Sequence, residues 1–153
     1  MPTSPRAATV RAQLPTVGVI AMGGGVGSVL RYALALAVPA GSGDFPVATL
    51  ITNLLGSLLL GALVVAVTEI WRPYPLVRPG FGTGLLGGFT TFSTFAVETR
   101  TLALPVAVAY AVATVVGGLV LAAVGMAVVR RLESRFRVAP VHERVDPFDP
   151  DLP

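Results

Sequence analysis

The sequence predicts an all-α membrane protein of four transmembrane helices, the third of them broken. Of its 153 residues 54% are hydrophobic and only 12% charged, far from the balance of a soluble domain. Four apolar runs each approach the ~20 residues that cross ~30 Å of hydrocarbon. The third, GFGTGLLGGFTTFSTF from Gly80 to Phe95, carries five glycines between Gly80 and Gly88. Each costs about 1 kcal/mol against alanine in a helix interior, so a break is expected near Gly87 to Thr91. Thr90, Thr91, Ser93 and Thr94 then interleave with Phe89, Phe92 and Phe95, rings at i+3 steps that share one face if the segment is helical. Irregular backbone at membrane depth survives only where it is buried in protein or lines a wet cavity. The segment therefore marks either a permeation or binding path or tight packing between helices, which glycine and threonine also serve.

Residues 1–16 form a polar lead-in with Arg6, Arg11, Pro2, Pro5 and Pro15, read as disordered or surface chain. The first span, about 17–38, is too long for a signal-peptide core and is treated as retained. It contains GGVGSVLRY and Arg31, an ionisable group that either serves function or snorkels to the headgroups. Pro39 to Phe45, PAGSGDF, is a turn. The second span, about 47–68, holds no charge over 22 residues, and its Asn53 amide must find partners: two donors for an anion, or bonds to a facing helix. Glu69 to Pro79, with Trp71 and Tyr74, reads as an interfacial loop. The broken third span runs from about 80 to 97, and a short link at Glu98 to Thr101 makes the fourth, about 102–129, its antiparallel neighbour. Tyr110 and Thr114 lie one helical turn apart on the fourth. Residues 130–153 are a basic, then acidic tail: RRLESRFR suits the cytoplasmic headgroups, and the remainder is expected to be disordered.

Several classes are excluded. With no lysine and no cysteine there are no disulfides or thiolate metal sites. The pI near 10.2 comes from arginines that flank apolar runs, so nucleic acid is not an expected partner. The one histidine, His142, sits in the tail without further ligands, which leaves no set for acid-base or nucleophilic chemistry, and the protein is not expected to be an enzyme. Glu69 and Glu98 fall at span ends and Asp44 in a loop, which argues against a proton-coupled exporter. What remains is a path of hydroxyls, one amide and phenylalanine ring edges of partial positive charge. Weak neutral sites in series suit a small anion, which must leave as easily as it enters.

GGVGSVLRY at Gly24 to Tyr32, TLITNLLGSLLLG at Thr49 to Gly61 and GFGTGLLGGFTTFSTF at Gly80 to Phe95 resemble the Fluc/CrcB fluoride channels, in the right order across all four spans. The resemblance implies a fluoride-specific passive channel in the cell membrane, working as an antiparallel dimer with two pathways along the subunit interface. Asn53 would be the pore-lining amide, Phe92 and Phe95 the rings that meet fluoride edge-on, and Ser93 and Thr94 nearby hydroxyls; Tyr110 and Thr114 would belong to a polar track on the fourth helix. The backbone carbonyls of Gly87 and Thr90 would hold a structural sodium ion on the dimer axis. The partners implied are fluoride, membrane lipid, and either a second copy or an oppositely oriented paralogue. A four-span drug or metabolite exporter and a structural membrane subunit are the alternatives.

Overall fold

The computed structural model describes residues 5–39, 41, 43–70 and 75–136, with side chains from residue 13 to 135. Every regular element among them is helical. α1 is Pro5–Ala37. α2 is Val47–Val65, continued by a wider π-wound turn Ala66–Ile70. α3 is a π-wound stretch Arg78–Leu86 that tightens into one α-turn, Gly87–Phe89. α4 is Phe92–Thr101 and α5 is Leu104–Phe136. Three stretches, Gln13–Ala37, Val47–Ile70 and Leu104–Arg135, are long and apolar enough to cross a membrane, and the shortest exceeds the ~20 residues required.

The helices associate as two pairs. α1 lies along α3 and α2 along α5, and each pair is joined through glycine. Gly23 and Gly27 of α1 face the backbone of Gly80, Gly84, Leu85 and Gly88, while Gly117 meets Leu54, Gly118 meets Ser57, Gly61 meets Ala122 and Gly125 meets Ala62 as well as Leu58. Residue numbers rise together across both contacts, so each pair is parallel. Small residues let backbones approach where lipid supplies no hydrophobic drive between helices. The pairs touch each other little, and the buried apolar side chains among the described residues are Val65, Leu86, Phe89, Ala107 and Tyr110. Outward positions such as Met22, 75% exposed, and Leu104, 77% exposed, carry the apolar surface that hydrocarbon solvates.

The turn after α1 follows its sequence chemistry. Gly43 takes φ +87°, a region favouring glycine, while Gly41 N donates to Asp44 Oδ2 at 2.9 Å and Asp44 N to Gly41 O at 3.1 Å. Elsewhere the boundaries differ from those expected. Residues 5–16 are not an irregular lead-in but the first turns of α1: Pro5 stands at the helix start, where its missing N–H costs nothing, and Ala7, Ala8, Arg6 and Arg11 are strong helix formers. The tail is likewise helical through Phe136, because arginine, leucine and glutamate favour the helix well past the apolar zone. Glu98 to Thr101, expected as a link, form the last turn of α4. Trp71, Tyr74 and the chain beyond Phe136 lie outside the described residues.

The helix interruption falls at Thr90 and Thr91, within the expected Gly87 to Thr91, but the glycines before it are not its seat. Gly80 to Gly88 do not interrupt the helix; they widen it, with Gly87 N reaching back to Gly82 O, and the propensity cost is offset by close packing on α1. The backbone leaves helical geometry two residues later, at Thr90 (φ −76°, ψ 159°) and Thr91 (φ −147°, ψ 122°). This packing makes a signed prediction. A Cβ on Gly27 would strike the Leu85 carbonyl and lie 2.7 Å from Phe89 N, whereas one on Gly25 meets nothing within 4 Å. Gly27→Ala is expected to cost about 1–3 kcal/mol of stability through overpacking, while Gly25→Ala should be neutral or gain up to about 1 kcal/mol of helix propensity. Thermal unfolding of the two variants in detergent checks the difference in sign.

Candidate functional site

The extended pair Thr90–Thr91 creates a supply of unpaired backbone groups that the surrounding side chains meet. Thr91 N donates to Asn53 Oδ1 at 2.9 Å, and Asn53 Nδ2 donates to Thr91 O at 3.0 Å. Thr91 Oγ1 caps α4 by accepting from Thr94 N at 3.2 Å, as threonine does at helix starts. On the other side, Arg31 Nη1 of α1 donates to Thr90 O at 3.3 Å. In an unbroken helix Thr91 N would bond Gly87 O and Thr94 N would bond Thr90 O. Both donors go elsewhere, so Gly87 O and Thr90 O lose their helical partners.

An open cleft of about 510 Å³ between the two helix pairs is lined by Asn53, Gly87, Thr90, Phe92, Phe95 and Thr114, among others. Six sequence-predicted site residues therefore meet in one place, drawn from α2, α3, α4 and α5. Phe92 is 80% exposed, and its ring lies 5.9 Å from that of Phe95. Phe95 in turn lies 5.2 Å from Tyr110, and Tyr110 meets Phe45 edge-on at 5.5 Å. The rings thus form a row that leads from the cleft toward the 39–45 turn. Phe89 is not in it: the extended residues rotate α4 relative to α3, and Phe89 is buried, 8% exposed, beside Leu30, Leu34 and Leu55.

Three expected pathway residues are placed differently. Ser93 and Thr94 are exposed and do not line the cleft; their hydroxyls lie 3.3 Å and 3.0 Å from Thr91 Oγ1. Tyr110 is fully buried, and its hydroxyl donates to Glu98 Oε2 at 2.7 Å. Thr114 lines the cleft, although its hydroxyl is spent on Tyr110 O at 2.8 Å, the back-bond open to a helical threonine.

Glu98 reads from the sequence as a span-end residue, yet it is half-buried and also accepts from Thr49 Oγ1 at 2.8 Å. The signal available was its i+3 position after Phe95, on the ring-bearing face of α4. Replacing Tyr110 by phenylalanine, or Thr49 by valine, is expected to cost about 1–3 kcal/mol, since a carboxylate would lose one of its two hydroxyl donors. A lowered thermal midpoint for each variant checks this; unchanged midpoints would mean that water replaces the hydroxyl freely.

These features define a multi-pass helical membrane protein with a cleft of neutral donors and aromatic rings at a helix interruption. The CrcB-like protein model, described as Camphor Resistance (CrcB), matches residues 18–126, and the chain belongs to that family. It is 51% identical over 90 residues to a Streptomyces avermitilis protein named Fluoride-specific ion channel FluC 2, covering 59% of this chain and 57% of that one. It is 48% identical over 108 residues to Fluoride-specific ion channel FluC 1 of Streptomyces coelicolor, covering 68% of this chain and 70% of that one. A second Streptomyces avermitilis relative, FluC 3, is 42% identical over 133 residues, covering 84% and 65% of the two chains. The chain thus spans a little over half to about two thirds of these relatives.

Proposed function

We propose that the protein is a passive fluoride channel that exports cytoplasmic fluoride, built from four spans with the third broken and assembled as an antiparallel dimer. The observation that carries this reading is the convergence of Asn53, Phe92, Phe95 and Thr114 on one cleft. Amide N–H groups and ring edges attract an anion without the full charge that would trap it. The Arg31 guanidinium is turned to a backbone carbonyl, Thr90 O, and is not among the residues that line the cleft. A second subunit is called for because the Phe92 ring stands exposed and the cleft is open along one side in the single chain. α3 and α4 together would make the third span, and the contact between Glu69 and Arg130 sets the far ends of α2 and α5 on one face, as four alternating spans require.

The carbonyls of Gly87 and Thr90, which lack helical donors, fit a hard cation by type, since both are neutral oxygens at one helix interruption; Thr90 O also accepts from Arg31 and has a second lone pair to offer. They would hold sodium together with the matching oxygens of a partner, and the bound charge would stabilise anions nearby. The physiological work follows from acid-base chemistry. Neutral HF crosses membranes, ionises in a less acidic cytoplasm and leaves fluoride inside. A negative-inside potential, about 2.3 kcal/mol per charge per 100 mV, then drives fluoride out with no coupled fuel.

A coupled exporter would need a carboxylate in its pathway. Glu98 is committed to Tyr110 and Thr49 and does not line the cleft. Efflux from proteoliposomes loaded with fluoride separates the readings. A channel releases fluoride when valinomycin and potassium relieve the charge, with no proton gradient, and passes far less chloride. Release that requires a proton gradient, or no release either from this chain alone or from this chain reconstituted with an oppositely oriented paralogue, would overturn the proposal.

A further inference from the structure

The reciprocal pair between Asn53 and Thr91 has a consequence for how the helix interruption is held. Asn53 offers one acceptor oxygen and two N–H donors. Its oxygen takes Thr91 N–H at 2.9 Å, and one N–H is given to Thr91 O at 3.0 Å. A backbone would satisfy a neighbouring strand through the same two bonds. Thr91 is 7% exposed and its backbone leaves helical geometry, so without Asn53 its N–H would lie buried and unpaired; its C=O, the N-cap carbonyl of α4, also takes that helix's first bond. Among the described residues the α2–α5 pair meets the α1–α3 pair sparsely, and this amide is one of the few polar ties across the seam. The adjacent carbonyl, Thr90 O, is held from the α1 side by Arg31.

We infer that Asn53 is a positioning residue: its amide oxygen replaces the helical bond missing at Thr91 N–H, its N–H holds Thr91 O from the α2 side, and the pair keeps the interruption open within a single chain and leaves only one N–H for a permeating ion. Through Thr91, which caps α4 with its hydroxyl, Asn53 sets where the Phe92 ring begins. The role is separate from the identity of the ion, since it is built from contacts within one chain. It also explains why Gly87 O has no helical donor: the donor it would use, Thr91 N–H, is engaged by Asn53.

Amide exchange at Thr91, read by NMR on the isotopically labelled full-length protein in nanodiscs, tests the inference alongside fluoride efflux. In the native chain the Thr91 amide should be protected although it lies outside any helix. Asn53→Ala and the near-isosteric Asn53→Leu should each speed exchange at Thr91 at least tenfold while amides around Gly61 stay as slow as before. Asn53→Asp, which still accepts from Thr91 N–H, should keep Thr91 protected. Unchanged Thr91 exchange in both the alanine and leucine variants, or an aspartate variant as unprotected as the alanine one, overturns the inference. Loss of efflux with Thr91 still protected in the apolar variants would leave the channel reading intact and make Asn53 a pathway ligand alone.

Discussion

Replacing Phe92 or Phe95 by isoleucine is expected to lower fluoride efflux from proteoliposomes at least tenfold for each ring, with the dimer still assembled. Isoleucine keeps an apolar side chain and loses the ring's positive edge. If each edge stabilises the desolvated anion as much as a hydrogen bond to a charged group does, about 1.5–3 kcal/mol, its loss removes one to two decades of throughput. The two sites are not equivalent. Phe92 stands free, 80% exposed, so Phe92→Ile should act on flux with little effect on stability. Phe95 packs 5.2 Å from Tyr110, so Phe95→Ile should also cost some stability, and a thermal midpoint separates the two effects. Phe89 supplies the control. It shares the i+3 spacing but lies on the far side of the helix interruption, buried beside Leu30 and Leu34, so Phe89→Ile should disturb packing and leave the flux of the folded fraction unchanged. Equal losses at all three positions, or no loss at Phe92 and Phe95, would remove the rings from the pathway.

That contrast also marks where local sequence reading ends. Apolar run lengths located the three long helices to within a few residues along their membrane-facing parts, because hydrocarbon thickness constrains each run independently of its neighbours. The polar residues that cluster in the cleft were visible as hydroxyls, an amide and rings in unusual places. Their pairing was not. Asn53 with Thr91, Glu98 with Thr49 and Arg31 with Thr90 join residues 38, 49 and 59 positions apart, and no periodicity encodes such contacts. The glycine cluster misled for a related reason. Helix propensity counts its cost in isolation, whereas the same glycines allow α3 to lie against α1 at backbone contact, so the helix survives in widened form and yields only at the two threonines. Ser93 and Thr94 are placed in the pathway by the family resemblance, and in the single chain they are exposed beside Thr91 Oγ1 and do not line the cleft.

The second large effect concerns partnership. With four spans, the N-terminal segment, the chain between α2 and α3 and the C-terminal segment share one face of the membrane. That face would hold Arg6, Arg11, Arg72, Arg78, Arg130, Arg131, Arg135, Arg137 and Arg144, and the other Arg100 and, at most, Arg31. α5 continues helically through Phe136, so Arg130, Arg131 and Arg135 follow the apolar zone directly, within the ~15–20 residues over which arginine sets orientation. Arg130 is bound bidentately by Glu69, but acidic residues weigh little in that rule, and the bias remains. A chain that inserted both ways would need its two faces nearly balanced. The expected result is therefore a single orientation with both termini cytoplasmic, so that an antiparallel dimer requires a different, oppositely oriented chain. Streptomyces avermitilis has two relatives of this chain, FluC 2 and FluC 3, so one organism carries more than one chain of the family. Cysteines introduced at Ser42 and at Ser134, probed with an impermeant thiol reagent on intact cells, decide the matter. Labelling of Ser42→Cys alone, together with fluoride resistance that appears only when a paralogue of reversed arginine bias is co-expressed, is the expected outcome, with an on-off difference in flux. Comparable labelling of both positions, or full flux from this chain purified alone, would mean that one sequence inserts both ways and that two copies of it complete the channel.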